Sequence, residues 1–143
     1  MQSSGRYPFK KLAKYPHLSR EDTITWEKFI DNNPTAYISV DYDFPLSPVG
    51  EIAQKALDLG IEGAERVYKF RCDVVGYTEQ EIHLIELKNR ATPNAIGEVT
   101  QDYHIYMRDE APDRNVETLI ICRSTVPEMD FLCAKEDIFL IKV

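Results

Sequence analysis

Val67–Gly76 reads V-Y-K-F-R-C-D-V-V-G, and Glu81–Arg90 reads E-I-H-L-I-E-L-K-N-R. Both runs are rich in β-branched and aromatic residues and are separated by turn-forming residues, so they predict two adjacent strands. Side chains alternate across a strand. Asp73 therefore shares a face with Lys69 and Arg71, and Glu86 shares one with Lys88 and Arg90. The opposite faces (Tyr68, Phe70, Cys72, Val74; His83, Ile85, Leu87) are mainly apolar and suit a core. A two-residue turn at Glu79-Gln80 would set Asp73 roughly opposite Glu86. His83 reads as a satisfied core histidine, because no second His or Cys lies at ligand spacing.

Working outward, Ser19-Arg20-Glu21-Asp22 has the form of a helix start, with Ser19 as N-cap and acids in the first turn. Trp26, Phe29 and Ile30 follow at helical spacing, and Pro34 stops the run. Trp26 is expected to anchor this helix to the core. Ala36–Tyr42 alternates like a strand. Ser47-Pro48 opens a second helix that ends at Leu59 with Gly60 as its C-cap, burying Val49, Ile52, Ala56 and Leu59. Thr92-Pro93 opens a third helix through about Arg108, with Ile96, Val99, Tyr103 and Tyr106 on its buried face. Val116–Cys122 reads as a buried strand. Pro127–Lys135 reads as a short helix. Ile138–Val143 reads as a last strand, which completes the sheet or pairs across a dimer interface. The pattern predicts an α/β protein, a mixed sheet flanked by helices.

Two facing carboxylates repel each other, and a hard cation such as Mg2+ or Mn2+ relieves the repulsion. Asp73 and Glu86 are the candidate metal ligands, with the backbone carbonyl of Leu87 as a further one. Lys88 can hold or deprotonate a water, or neutralise charge in a transition state. Lys69, Arg71 and Arg90 could position a phosphate backbone beside the metal. Such a set suits cutting a phosphodiester bond. Glu-x-Lys alone is a weak signal. It is strengthened here by the apolar strand it ends, the acid on the preceding strand and the capped helix that follows.

Composition is compatible with this. At 43% hydrophobic and 29% charged, the chain of 143 residues reads as one soluble globular domain. No apolar run reaches the roughly 20 residues of a membrane span. The first residues lack an apolar signal region, so an intracellular location, cytoplasmic or nucleoid-associated, is expected. Cys72, Cys122 and Cys133 lie in apolar segments without C-x-x-C spacing, which argues for buried thiols rather than a zinc or iron–sulfur site. The net charge of −7 does not suggest a general nucleic-acid coat protein. The first twenty residues carry five basic residues and no acid. Residues 1–18 accordingly read as a basic N-terminal arm, either a solvated tail or a polyanion contact. Residues 19–143 read as the single domain.

D-V-V-G followed by I-H-L-I-E-L-K-N-R resembles the core motif of the PD-(D/E)XK nuclease superfamily, over roughly residues 47–122. Within it the chain is most similar to the RecB-like and NucS-type branch. The resemblance implies a restriction-endonuclease-like fold and a metal-dependent nuclease acting on DNA, with RNA left open. By the same resemblance Asp73 and Glu86 bind metal, Lys88 serves the water and Glu51 is the acid of the preceding helix. Gln101 would open the Gln-x-x-x-Tyr motif of the following helix. That motif is imperfect, because Ile105 follows Gln101 by four residues. Helical phase offers Glu98 for the glutamine place, with Asp102 where the tyrosine belongs. The alternative is a nuclease-fold protein that has lost catalysis and binds nucleic acid or assembles with a partner. A smaller phosphate ester as substrate is disfavoured by the lack of a Gly-rich phosphate loop. A domain this small cannot easily surround a duplex, which points to a homodimer or a specificity partner.

Overall fold

The computed structural model describes residues 5–46, 58–60 and 70–143. The helix expected from Ser47, with Glu51 on it, lies outside the described residues, as does Lys69. Gly60, the expected C-cap, is described and has φ 69°.

Six strands form one sheet: β1 (Tyr7–Pro8), β2 (Ser39–Leu46), β3 (Phe70–Tyr77), β4 (Glu81–Ala91), β5 (Asn115–Thr125) and β6 (Ile138–Lys142). They lie in sequence order across the sheet. The first four pair antiparallel, whereas β4–β5 and β5–β6 are parallel. The described helices are α1 (Arg20–Asn32), α2 (Asn94–Glu110) and α3 (Met129–Lys135). The expected mixed sheet flanked by helices is therefore present, and β6 completes it.

The hairpin that matters turns at Glu79-Gln80. Thr78 closes it by donating its N–H to the Glu81 carbonyl, while its hydroxyl accepts from the N–H groups of Gln80 and Glu81. Tyr77 then pairs with Ile82, and the ladder runs to Val74 opposite Ile85. The next position in this register would set Asp73 against Glu86. There the two strands part, while β4 continues along β5 with Glu86 beside Ile120.

Apolar side chains from alternate positions build a core on each side of the sheet. Under α1, Trp26, Phe29 and Ile30 pack on Val40, Tyr42, Val74, Ile85, Leu87, Leu119 and Ile121. On the other side, Ile105 and Tyr106 pack on Val75, Tyr77, Ile82 and Leu84, while Ala95 and Val99 pack with Ile120, Cys122 and residues of α3. All three cysteines are buried free thiols.

Trp26 is wholly buried and donates its indole N–H to the Tyr42 hydroxyl at 2.8 Å, so no face is left for stacking on a base. Trp26→Ala is expected to cost about 3–5 kcal/mol, the range for deleting a buried aromatic. Urea unfolding of the variant beside the wild type measures it.

The N-terminal segment, read as a basic arm, packs against the sheet and α1 over its described residues. Tyr7 pairs with Val40, and the backbone N–H groups of Gly5 and Arg6 donate to the side chains of Ser39 and Asp41. Phe9 lies edge-on to Trp26, and Tyr15 is buried with its hydroxyl donating to Glu27. Aromatic residues at irregular spacing carry this packing, so neither strand nor helix periodicity announces it. Lys10 and Lys14 remain exposed.

Helix α2 also differs in phase. Its buried positions are Ala95, Val99, Asp102, Ile105 and Tyr106, whereas Ile96 and Tyr103, expected inside, are only half-buried. The stripe is turned by about one residue, and this turn carries Asp102 inward.

Candidate active site

The parting of β3 and β4 leaves a cavity of about 340 Å³. Four elements line it. Asp22 comes from α1, Arg71 and Asp73 from β3, Glu86, Leu87 and Lys88 from β4, and Glu98, Gln101 and Asp102 from α2. Seven of these, Arg71, Asp73, Glu86, Lys88, Glu98, Gln101 and Asp102, are side chains that the sequence singled out, Glu98 and Asp102 as the alternative occupants of the helix motif.

Asp73 takes over where the ladder ends. Its Oδ2 accepts the Leu87 N–H at 2.9 Å, in place of a backbone carbonyl. This fixes its carboxyl against β4, one residue from Glu86. Glu86 is 5% exposed and Asp102 is 4% exposed. The Glu86 carboxyl lies within hydrogen-bond reach of both Asp73 and Asp102. Burial lifts all three carboxyl pKa values above the ordinary range. The lift is largest for Glu86, where the charges of Asp73 and Asp102 add to burial. Asp22 is also raised by burial, with the Ser19 hydrogen bond and the charges of Lys88 and Arg123 pulling the other way. The charges of the three central acids oppose one another at close range. Among the described residues, no three His, Cys, Asp or Glu side chains converge as ready-made metal ligands.

Lys88 points to the outer side of the cluster. Its ammonium donates to both carboxylate oxygens of Glu98, at 2.9 and 3.0 Å. Burial alone would lower its pKa, but the Glu98 bond and the charges of Glu98, Glu86 and Asp73 outweigh it and raise the value. The group is therefore a persistent cation. Its geometry suits neutralising charge better than taking a proton.

The remaining candidates are spread wider. Arg71 is bound to Asp43, through its side-chain carboxylate at 3.1 Å and its carbonyl at 3.4 Å. Arg90 is exposed and stands beyond the cavity lining. Gln101 is half-buried at the wall, and Glu98 beside it holds Lys88. His83 is satisfied by the Tyr37 hydroxyl at 2.7 Å and Glu81 at 2.9 Å.

Asp22 escaped the sequence reading. An acid in the first turn of a helix capped by Ser19 has a sufficient local reason to be there, its attraction to the helix dipole. Only the packing of α1 beside the end of β4 brings it to the cavity.

No family model matches the chain, and no curated protein matches it. Among solved structures, a repair endonuclease from Pyrococcus abyssi matches with a TM-score of 0.50 and 18% identity, over 92% of this chain and 49% of that one. A structure of an EndoMS–dsDNA2 complex matches with a TM-score of 0.49 and 20% identity, over 93% of this chain and 49% of that one. The chain thus spans about half the length of each. The six-stranded mixed sheet with its flanking helices is a fold similar to that of the Pyrococcus abyssi repair endonuclease, in keeping with the architecture implied by the D-V-V-G and E-L-K motifs.

Proposed function

We propose that this protein is a divalent-cation-dependent nuclease that hydrolyses DNA phosphodiester bonds at Asp73, Glu86 and Lys88. The observation that carries the reading is the meeting of these three side chains in one cavity, at the point where β3 and β4 part. The fold similarity to a repair endonuclease supports it.

The residues fit a hard cation. The donors are carboxylates, with the Leu87 carbonyl as a candidate neutral ligand, and all-oxygen sets suit Mg2+ or Mn2+. One buried carboxylate oxygen, Oδ2 of Asp102, has no hydrogen-bond donor among the described residues. Asp73 and Glu86 would hold the cation as carboxylates. Its contribution would be positive charge at the phosphoryl group and a more acidic water.

The chain's own groups do the rest. Lys88 supplies a fixed positive charge at the cavity mouth, kept in place by Glu98. Gln101 offers a neutral donor and acceptor at the same wall. Arg71 lies at the cavity edge as a phosphate-positioning group, with Arg90 farther along the same face of β4 as Lys88. The acidic surface elsewhere confines binding of a polyanion to such local cations. A second copy or a specificity partner would supply further duplex contacts, and sedimentation with and without DNA tests for the copy.

Labelled single-stranded, duplex and branched DNA, incubated with Mg2+ or Mn2+, tests the reading beside Asp73→Ala. Expected is cleavage that needs the metal and is absent in the variant. A folded protein that cuts none of these substrates and binds no Mn2+ would instead be a non-catalytic binding module.

A further inference from the structure

Asp102 is the least explained residue of the cavity. It is 4% exposed and lines the wall from the inner face of α2. Its neighbours on that face are Ala95, Val99 and Tyr106, a stripe that otherwise serves the core. A leucine would fill a similar space without the cost of burying a charge. Yet an acid stands here, its Oδ2 buried and meeting no hydrogen-bond donor among the described residues.

The group facing it is the carboxyl of Glu86. Two carboxyl groups in contact need a proton or a cation between them. Asp73 stands on the other side of Glu86, so the three form a row with Glu86 in the middle. The row opens into a cavity of about 340 Å³, roomy enough for an ion and several waters. Lys88 bonds both carboxylate oxygens of Glu98, and its charge acts on the Asp102 end only through space.

We propose that Asp102 is itself a ligand of the divalent-cation centre, a third protein carboxylate that moves in beside Asp73 and Glu86 when the ion binds, since among the described residues no three such side chains converge without it. The inference rests on the cation-dependent reading above and adds a residue from α2 to it. The ligand class is a hard divalent ion, Mg2+ or Mn2+, because every donor is oxygen. A third anionic donor tightens the site, and it ties α2 to the end of β4 when the ion is bound.

Mn2+ titrations of the full chain, followed by the loss of the free-ion paramagnetic resonance signal, test this with Asp102→Asn and Asp102→Leu. An asparagine still hydrogen-bonds Glu86, so a residue that only positions Glu86 tolerates it. A ligand that contributes charge does not. The expected result is a Mn2+ dissociation constant at least about tenfold higher in Asp102→Asn. With Tb3+ as the probe, luminescence lifetimes in H2O and D2O should count one more coordinated water in Asp102→Leu. Thermal unfolding without metal should show both variants folded. Dissociation constants within about twofold of wild type and an unchanged water count would overturn the inference, leaving Asp102 with a shared proton only. Should Asp102→Leu fail to fold, the Mn2+ dissociation constant of the isosteric Asp102→Asn decides. Weakened Mn2+ binding in Asp102→Asn without cleavage of any DNA would support the ligand while removing the nuclease reading. Cleavage with Asp102→Asn binding Mn2+ as wild type would do the reverse.

Discussion

Replacing Glu86 by glutamine is expected to abolish cleavage and to stabilise the metal-free protein at the same time. The two effects share one cause. Glu86 lies between Asp73 and Asp102, 5% exposed, and all three are acids. A buried charge without compensation is costly, and two like charges beside it raise that cost. Glutamine has the same shape, carries no charge and can donate an N–H to each neighbour. Relief of about 1–3 kcal/mol is expected from converting an acid–acid contact into a hydrogen bond. For a domain of this size that corresponds to a rise in melting temperature of about 2–10 °C. The sign with pH follows from the direction of the shifts. A carboxyl raised above its unfolded value contributes stability that is fully present below the unfolded pKa and is lost as pH rises through the folded one. The advantage of Glu86→Gln should therefore grow from the ordinary carboxyl range upward, and shrink when excess Mg2+ binds the wild type. Cleavage should fall by about a thousandfold or more, since the variant loses a charge required at the reacting phosphate. Circular dichroism melts at acid and mildly alkaline pH, with and without Mg2+, beside a cleavage assay, measure all of this. A variant less stable than wild type at every pH would mean that Glu86 is not under electrostatic strain.

Such strain is what a functional site looks like when local rules are broken. The sequence made part of it readable. Strand parity put Glu86 and Lys88 on one face, and the short turn at Glu79-Gln80 set the register that brings Asp73 to Glu86. Both inferences need only local geometry, and a hairpin is local. The rest depended on contacts distant in sequence. Tyr7, Phe9 and Tyr15 follow no period, so their packing beneath the sheet could not be seen. Ile96 and Tyr103 marked the buried face of α2 by hydrophobicity, yet Ala95 and Asp102 are the residues that face inward. An acid counted as polar pulled the apparent stripe one residue off its true phase. Asp22 was hidden by having a good local reason for its place. The sites missed are thus those where one residue satisfies two demands and the sequence displays only one.

Lys88→Ala is expected to separate binding from chemistry. Lys88 is one-third exposed and stands outside the row of acids, bound to Glu98. Its loss removes a cation near the site but no oxygen donor. Mn2+ affinity should stay within about fivefold of wild type, the range that a part-exposed charge contact carries. Cleavage should nevertheless fall by about a hundredfold or more, as expected when a preorganised positive charge is removed from a developing anion. Glu86→Gln should lose both, so the pair of variants assigns the two roles. Lys88→Arg should not restore activity fully. The planar guanidinium would engage both oxygens of Glu98 in a fork and direct its charge there. The pH profile carries the same distinction. A lysine that removes a proton from water would make the rate climb steadily towards its own pKa. The Lys88 pKa is raised, so the group stays charged through neutral and mildly alkaline conditions. Its contribution should be constant there, and it should fade only when the ammonium itself is lost at strongly alkaline pH. If instead the rate of wild type rose tenfold per pH unit through that range and the Lys88→Ala rate did not, Lys88 would be the base and its pairing with Glu98 would have to break on substrate binding.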